Sequence, residues 1–563
     1  MTDRAFKRGT SREQSGLLPA RIEDYVGADN PVRAIEAYVC ALDLSALGFR
    51  HAARCGGAGQ PPFDPADLLK LYVYGYLNQV RSSRRLEREA GRNVELIWLL
   101  RGLVPGYRTI AEFGKENRTA LKAANRDFVL LARELGLLGG TLVAIDGAFF
   151  HGDASKASIT TRQRLAEQLA SLERSIETYA GALDANDAEE AAQPDRDAVP
   201  AGEVAEKLAA LLARRARVQA DLAQLEASGQ QRGADRPRRH PAAARSIHDH
   251  AGHPSRNRTQ LSRTDADARL LTKTGQVVAG YNVQVAVDDK HKLIVASEVV
   301  NDGNDTGQLH AVAAAAKAAL DAETLTALAD AGYYNGETLK ACEADGITAY
   351  VPLAERGRRP SAHGRFSRGD FSYDAAGDVY RCPQGAPLRR MNGGKLDVTG
   401  KWQLRYATRR SDCRACPLRG GCLTRKSHRR TVERWVHEDV IERHRTRMQG
   451  GATLMRRRAT LAEHPFGTLK CRAGYRHFLL RGFDKVRGEW SLMALCYNFT
   501  RVLNILGLDR LRAYLARRAG MSLCSLVCAA EAAKCPPIRV FTAIWTAITQ
   551  KTPIRRAWPQ PAL

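Results

Sequence analysis

Two stretches far apart in the chain share one pattern. LVAIDG (Leu142–Gly147) and LTALADAG (Leu325–Gly332) are short apolar runs that end in an acid. A run this short and this uniformly apolar predicts a strand buried on both faces. Asp146 and Asp330 then sit at the ends of two such strands. Between them, GYNVQVAVDDKHKLIVASEVV (Gly280–Val300) shows two β-rich runs around DDKHK, which predicts a hairpin. AVAAAAKAAL, which follows, is a strong helix former.

The order is strand with Asp146, hairpin, helix, strand with Asp330. It fits an α/β, ribonuclease-H-like sheet in which the two acids end neighbouring strands. A third acid, Glu463, heads LAEHPFGTLKCRAGYRHFLLRG, a stretch that also holds Lys470, Arg472, Arg476 and Arg481. Pro465 inside it predicts a kink, or a helix start close to His464.

Charge separates the function classes. The 563 residues carry a net charge of +25. Residues 401–480 alone hold 20 Lys and Arg against 6 Asp and Glu, more than half of that excess. Such a bias speaks of partners, and favours double-stranded DNA or another polyanion over a membrane. No apolar run approaches the roughly 20 residues of a spanning helix. MTDRAFKRGT has no apolar signal region, so the expected location is cytoplasmic and nucleoid-associated.

Residues 60–135 read as several short helices. Asp64 and Pro65 suit the start of the first, and Asn93 precedes the next. Thr109 and Glu112 have capping-box spacing. RSSRRLEREAGR (Arg81–Arg92) reads as a basic connector, with Arg81, Arg84 and Arg85 as candidate DNA contacts. Further on, Leu165, Leu169, Leu172, Ile176, Tyr179 and Leu183 alternate spacings of four and three, as do Val204, Leu208, Leu211, Val218, Leu222 and Leu225. Both are heptad seams, and together they predict an antiparallel helical hairpin. A basic, Pro-rich linker follows.

Cys382, Cys413, Cys416 and Cys422 offer four thiolates, a set that suits a closed tetrahedral zinc site; unpaired reduced cysteines are the alternative. His248, His250 and His253 fall in the linker and read as a solvated loop, and Cys524, Cys528 and Cys535 carry no usable signal. Asp265 and Asp267 read as turn residues. Trp402, Trp490 and Trp545 read as core or cover. The domain reading is a helical DNA-binding domain over 1–139; a core over 140–345 interrupted by the hairpin insertion 156–262; a Cys-rich basic insertion over 346–440; the rest of the core over 441–515; and a tail over 516–563.

Three acids of this kind suit phosphodiester chemistry. Two Mg²⁺ or Mn²⁺ ions about 3.5–4 Å apart can serve both the attacking and the leaving oxygen. Mg²⁺ prefers oxygen ligands and keeps several waters, so two or three carboxylates suffice. Asp146 would bridge the ions, with Asp330 and Glu463 each holding one. Lys470, two helical turns after Glu463, would grip the phosphate beside the scissile bond, with Arg472, Arg476 and Arg481 as further DNA contacts.

FDPADLLKLYVYGYLNQVRSSRRLEREAGRNVELIWLL, AIDGAFF, TDADARLLTKTGQVVAGYNVQVAVD, ADAGYYNGETLKACE, CPQGAPL, EHPFGTLK and RGFDKVRGEWSLMALCYN resemble segments of bacterial insertion-sequence DDE transposases, closest to the insertion-sequence 1182 family. The resemblance spans roughly Pro61 to Asn504. It implies a helical N-terminal domain, a ribonuclease-H-like catalytic core, and metal-binding roles for Asp146, Asp330 and Glu463. The family pattern has an acid and an Arg where this chain has Gly106 and Gly114, and Gly114 suggests a loosened turn. A Tyr usual before the last acid is missing from LMRRRATLAE, so Arg456, Arg457 or Arg458 substitutes. The expected function is a transposase that binds the inverted repeats of its element, cleaves the DNA and joins the 3′ ends to a target, as at least a dimer. A nuclease or resolvase without strand transfer, and a catalytically dead DNA-binding relic, are the alternatives.

Overall fold

The N-terminal helices begin where local chemistry starts a helix. In the computed structural model, Asp64 accepts the Ala66 N–H at 2.8 Å, and Pro65 opens a helix that runs to Leu77. Asn93 accepts the N–H groups of Glu95 and Leu96 and starts Val94–Leu99. The structure describes residues 21–52, 62–192, 201–234, 260–273, 275–353, 366–397, 401–424 and 426–520. The chain divides into two compact units, 1–124 with 499–563, and 125–498.

In the first unit, α1 is Val32–Cys40, α2 Pro65–Leu77, α3 Ser83–Ala90, α4 Val94–Leu99 and α5 Tyr107–Glu116; α6 (Arg118–Glu134) begins there. Three expectations are corrected. The segment expected to be a basic connector is itself a helix, α3, anchored by buried Leu86 and Ala90. Thr109 and Glu112 form no capping box, because α5 already starts at Tyr107; Glu112 instead meets Lys115 at 2.9 Å. Gly114 loosens no turn. It lies inside α5, and the Tyr72 hydroxyl, which donates to Ile110 O at 2.8 Å, fills the place a Cβ would take.

The second unit is built on one mixed sheet. Its strands are β1 (Leu142–His151), β4 (Arg269–Lys273), β5 (Gln276–Asp288), β6 (Ile294–Val300), β7 (Leu325–Leu328) and β8 (Ile347–Tyr350). The pairing order is β6-β5-β1-β7-β8, with β4 beside the first part of β5. The β6–β5 and β5–β1 pairs are antiparallel; β1–β7 and β7–β8 are parallel. One face of β1 joins the core with α9 (Leu309–Leu320) and α10 (Gly336–Ala344) through Val143 and Ile145. The other meets α14 (Ala452–Gly467) through Leu142 and Ala144.

Two excursions leave this sheet. The first is gated by the short antiparallel pair β2 (Ile159–Thr161) and β3 (Gln260–Ser262). Between them run α7 (Arg162–Ala192) and α8 (Ala201–Ala234), packed through Leu165, Leu172, Val218 and Leu225 of the heptad seams. Arg162 pairs with Glu226 at 2.9 Å, so the start of one helix meets the end of the other: the pair is antiparallel, as expected. The second is an all-antiparallel five-stranded sheet of β9 (Ser372–Asp374), β10 (Val379–Arg381), β11 (Pro387–Leu396), β12 (Trp402–Ala407) and β13 (Thr431–Trp435). The short helices α11 (Arg410–Arg414) and α12 (Arg419–Cys422) sit between its last two strands. Of the tryptophans, Trp490 is buried, Trp402 is half exposed and covers Gly394, and Trp545 lies outside the described residues. The chain continues through α13 (Glu438–Gln449), α14, α15 (Phe483–Leu506) and α16 (Leu508–Arg518). Among the described residues no single helix is long and apolar enough to cross a membrane.

Candidate active site

Register alone brings two of the expected acids to one place. The last registered pair of the parallel strands β1 and β7 is Ala144 with Leu328. Asp146 and Asp330 each lie two residues further on. Within β1 a step of two keeps the Asp146 side chain on the face of Ala144, while Asp330 stands just past the end of β7. That face is the one on which Ala144 and Leu328 pack with Leu461 and Ala462 of α14, and Glu463 is the next residue, exposed. Asp146 does not end its strand as the sequence suggested. Pairing with β5 carries β1 on to His151, while pairing with β7 stops at Ala144, so the two strands part at the acid.

Both carboxylates have local partners. Asp146 accepts the Gly147 N–H at 2.9 Å. Asp330 caps a single 3₁₀ turn and accepts the Gly332 N–H at 2.8 Å. Tyr333, fully buried, stands among them. Burial pushes its phenol well above the usual value, and the carboxylates of Asp305, Asp146 and Asp330 push the same way, while Arg458 opposes them. One side chain therefore feels three acids and one guanidinium. Of the three arginines before Glu463, Arg458 acts on Tyr333. Arg457 pairs with Asp289 at 2.6 Å, and Arg456 reaches Thr453 Oγ1 at 3.5 Å.

Asp305 is the acid that sequence reasoning missed. It is buried between β6 and α9 and takes hydrogen bonds from Asn282 at 2.8 Å and Gln284 at 2.6 Å. Gln284 in turn accepts from the Tyr333 hydroxyl. Gly147, registered opposite Gln284, makes room for this network, since a Cβ there would stand 2.7 Å from Asp305 Oδ1. Gly332, in the turn after β7, makes room for the Asp330 carboxylate. The place of its absent Cβ is 2.9 Å from Asp330 Oδ1 and 3.9 Å from Asp305 Oδ2. A signal was present: Asn282 and Gln284 are two polar residues at a spacing of two inside an otherwise apolar strand.

The basic partner also differs from expectation. α14 starts at Ala452 and runs through Pro465 to Gly467, so no helix starts near His464. A π turn, Thr468–Arg472, follows and absorbs the change of register. Lys470 therefore does not simply sit two α-turns beyond Glu463. Its ammonium donates to Phe149 O at 2.7 Å and lies 4.5 Å from the centre of the Phe150 ring, against the same strand as Asp146. Arg472, Arg476 and Arg481 are exposed; Arg476 reaches Lys470 O at 3.3 Å and Arg481 pairs with Asp153 at 2.8 Å. Asp265 and Asp267 do more than turn the chain. Asp265 accepts from Tyr281 and from Gly482 N, and Asp267 accepts Phe483 N at 3.0 Å, which fixes the start of α15.

In the first unit, Arg84 and Arg85 are exposed on α3, Arg84 lying 5.3 Å from the Tyr107 ring centre, and Arg81 is half-buried. Cys382, Cys413, Cys416 and Cys422 line one small cavity beside the five-stranded sheet. His248, His250, His253, Cys524, Cys528 and Cys535 lie outside the described residues. Among the described residues, no three His, Cys, Asp or Glu side chains stand in ready-made metal-ligand geometry. The donor type at the strand ends is carboxylate oxygen throughout, which is what a hard divalent cation takes.

Residues 381–503 match a family model described as Transposase DDE domain, and residues 20–116 match one described as Transposase domain (DUF772). The first span contains Glu463, Lys470 and the four cysteines; Asp146 and Asp330 precede it. The second contains Arg81, Arg84 and Arg85. No curated protein and no solved structure matches the chain.

Proposed function

We propose that this chain, which carries a DDE-type transposase domain and an N-terminal transposase domain and so falls in the general DDE-transposase family, is a DNA transposase of the insertion-sequence 1182 kind. The observation that carries the reading is the place of Asp146 and Asp330, each two residues beyond the paired Ala144 and Leu328, on which α14 packs with the two residues before Glu463. The sheet order and strand directions support a ribonuclease-H-like core.

On this reading Asp146, Asp330 and Glu463 hold Mg²⁺ or Mn²⁺. The ions supply an activated water and charge stabilisation at the leaving oxygen. The chain's own residues do the rest. Lys470, held against Phe149 and Phe150 at the strand that carries Asp146, positions a phosphate oxygen. Asp305, fixed by Asn282 and Gln284, holds the loop before α9 against Gly147, the glycine that follows Asp146. Arg458 balances part of the negative charge. The basic residues of α3 and of the 472–481 segment meet the DNA backbone of element ends and target, and joining two ends requires at least a dimer.

Supplying a pre-cut element end and a supercoiled target plasmid tests this against a nuclease without strand transfer. A transposase joins the 3′ end to the plasmid. Hydrolysis with no joined product favours the nuclease or resolvase reading instead.

A further inference from the structure

Four cysteines spread over forty residues converge on one point of the five-stranded sheet's rim. Cys382 follows β10, Cys413 lies in α11, Cys416 follows it, and Cys422 ends α12. All four line a cavity of about 30 Å³, together with Arg419 and Arg430. That is far below the roughly 300 Å³ an organic ligand needs, and it suits a single ion. All four are free thiols.

The backbone around them is organised as two alike turns. Cys382 and Cys416 are each followed by proline, and each accepts a hydrogen bond on its own carbonyl from three residues on: Gly385 N at 2.7 Å and Arg419 N at 3.1 Å. Gly385 has φ +84°, a conformation glycine adopts without strain. Cys382 N donates to Ala386 O at 3.0 Å and closes the first turn.

Charge around the cavity is complementary to a thiolate cluster. Arg430 donates to Cys422 O and Phe366 O, both at 3.0 Å, while its Nε is buried with no hydrogen-bond partner. Arg419 donates to Cys413 O at 3.4 Å. A divalent ion with four thiolates carries two net negative charges, and two guanidiniums line the same space. Thr408 Oγ1, 3.0 Å from Cys413 Sγ, is placed to donate to a thiolate there. In the described conformation the sulfurs do not close into a ligand set, although all four line the same cavity.

We propose that Cys382, Cys413, Cys416 and Cys422 bind one structural Zn²⁺ that ties α11, α12 and the β10–β11 turn to the sheet. The site is closed, with no position for substrate, and stands independently of the acids at the strand ends. The full-length chain, purified under reducing conditions and dialysed against buffer without metal, is to be assayed for bound zinc and titrated with Co²⁺ after zinc removal. About one zinc per chain and a thiolate-to-cobalt charge-transfer band are expected. Cys413→Ser with Cys416→Ser lowers bound zinc at least about tenfold, whereas Cys471→Ser, at an exposed cysteine elsewhere, leaves it unchanged. Should the double variant aggregate, alkylation mapping of the wild-type chain decides: these four thiols are protected with zinc and modified after chelation. A wild-type chain without zinc or a cobalt band, disulfides among the four cysteines, or zinc retained by a soluble double variant overturns the site.

Discussion

Gly147 shows how a single missing side chain defines a site. Its Cβ would intrude on Asp305 and Gln284, one residue from Asp146. Gly147→Ala overpacks a filled space, which costs about 1–3 kcal/mol. A lower midpoint in urea, with cleavage reduced more than DNA binding, is the expected result; cleavage at the wild-type rate contradicts the packing argument. His444 offers a pH test. It is buried on α13, with Nε2 2.8 Å from Val351 O, and burial, helped by Arg447, lowers its pKa from the ordinary 6.5. The unfolded chain binds a proton at the ordinary value, and the native one only at lower pH. His444 thus contributes stability above pH 6.5 that is lost as pH falls through the window below it. His444→Gln keeps a donor toward Val351 and flattens that acid-side slope in urea titrations. At this scale the sequence was informative where chemistry is local, as at Asp64 and Asn93. It marked Asp305 only indirectly, through Asn282 and Gln284, because its role depends on those two side chains and Gly147 meeting in space.

At the scale of elements, pairing partners decided what periodicity could not. LVAI is legible as a buried strand, but its extension to His151 comes from β5. α3 shows only Leu86 and Ala90 as a buried face, one pair at a spacing of four among charges, too little for a helical pattern. α2 carries the opposite surprise, an ionic group in an apolar helix. Lys70, 2% exposed, meets Glu36 at 2.8 Å and Asp67 at 3.4 Å, and Arg101 reaches Asp67 at 2.7 Å. Lys70→Ala leaves Asp67 and Glu36 without their buried cation, and a loss of about 3–5 kcal/mol is expected. Thermal unfolding checks it, and a change under about 1 kcal/mol would place the network among weak surface pairs. On α3, Arg84→Ala with Arg85→Ala is expected to weaken DNA binding uniformly across sequences. It should also reduce the log–log salt slope by about 0.9 for each phosphate that is no longer neutralised. An unchanged slope removes α3 from the interface.

Across the whole molecule, the proposed function draws on three segments that are distant in sequence. Asp146 and Asp330 each lie two residues beyond the last registered pair of β1 and β7, and Glu463 follows the two α14 residues that pack on that pair. The α/β strands and the helical hairpin were legible because hydrophobic runs and heptads are long-range regularities, whereas the five-stranded sheet was not, since cysteine spacing and charge mark an insertion without giving its strands. The course of α14 through Pro465 into a π turn was not, because tertiary packing overrides the local preference of proline. The most direct measurement is cleavage of DNA that spans an element end and its flank, by the wild-type chain, Asp146→Asn and Glu463→Gln, each with Mg²⁺ and with chelator, alongside binding to the same DNA. The account predicts metal-dependent cutting by the wild type, cutting reduced by about 10²–10³-fold or more in either variant, and undiminished binding by all three. Equal cutting by the variants, or cutting by the wild type that survives chelation, contradicts it.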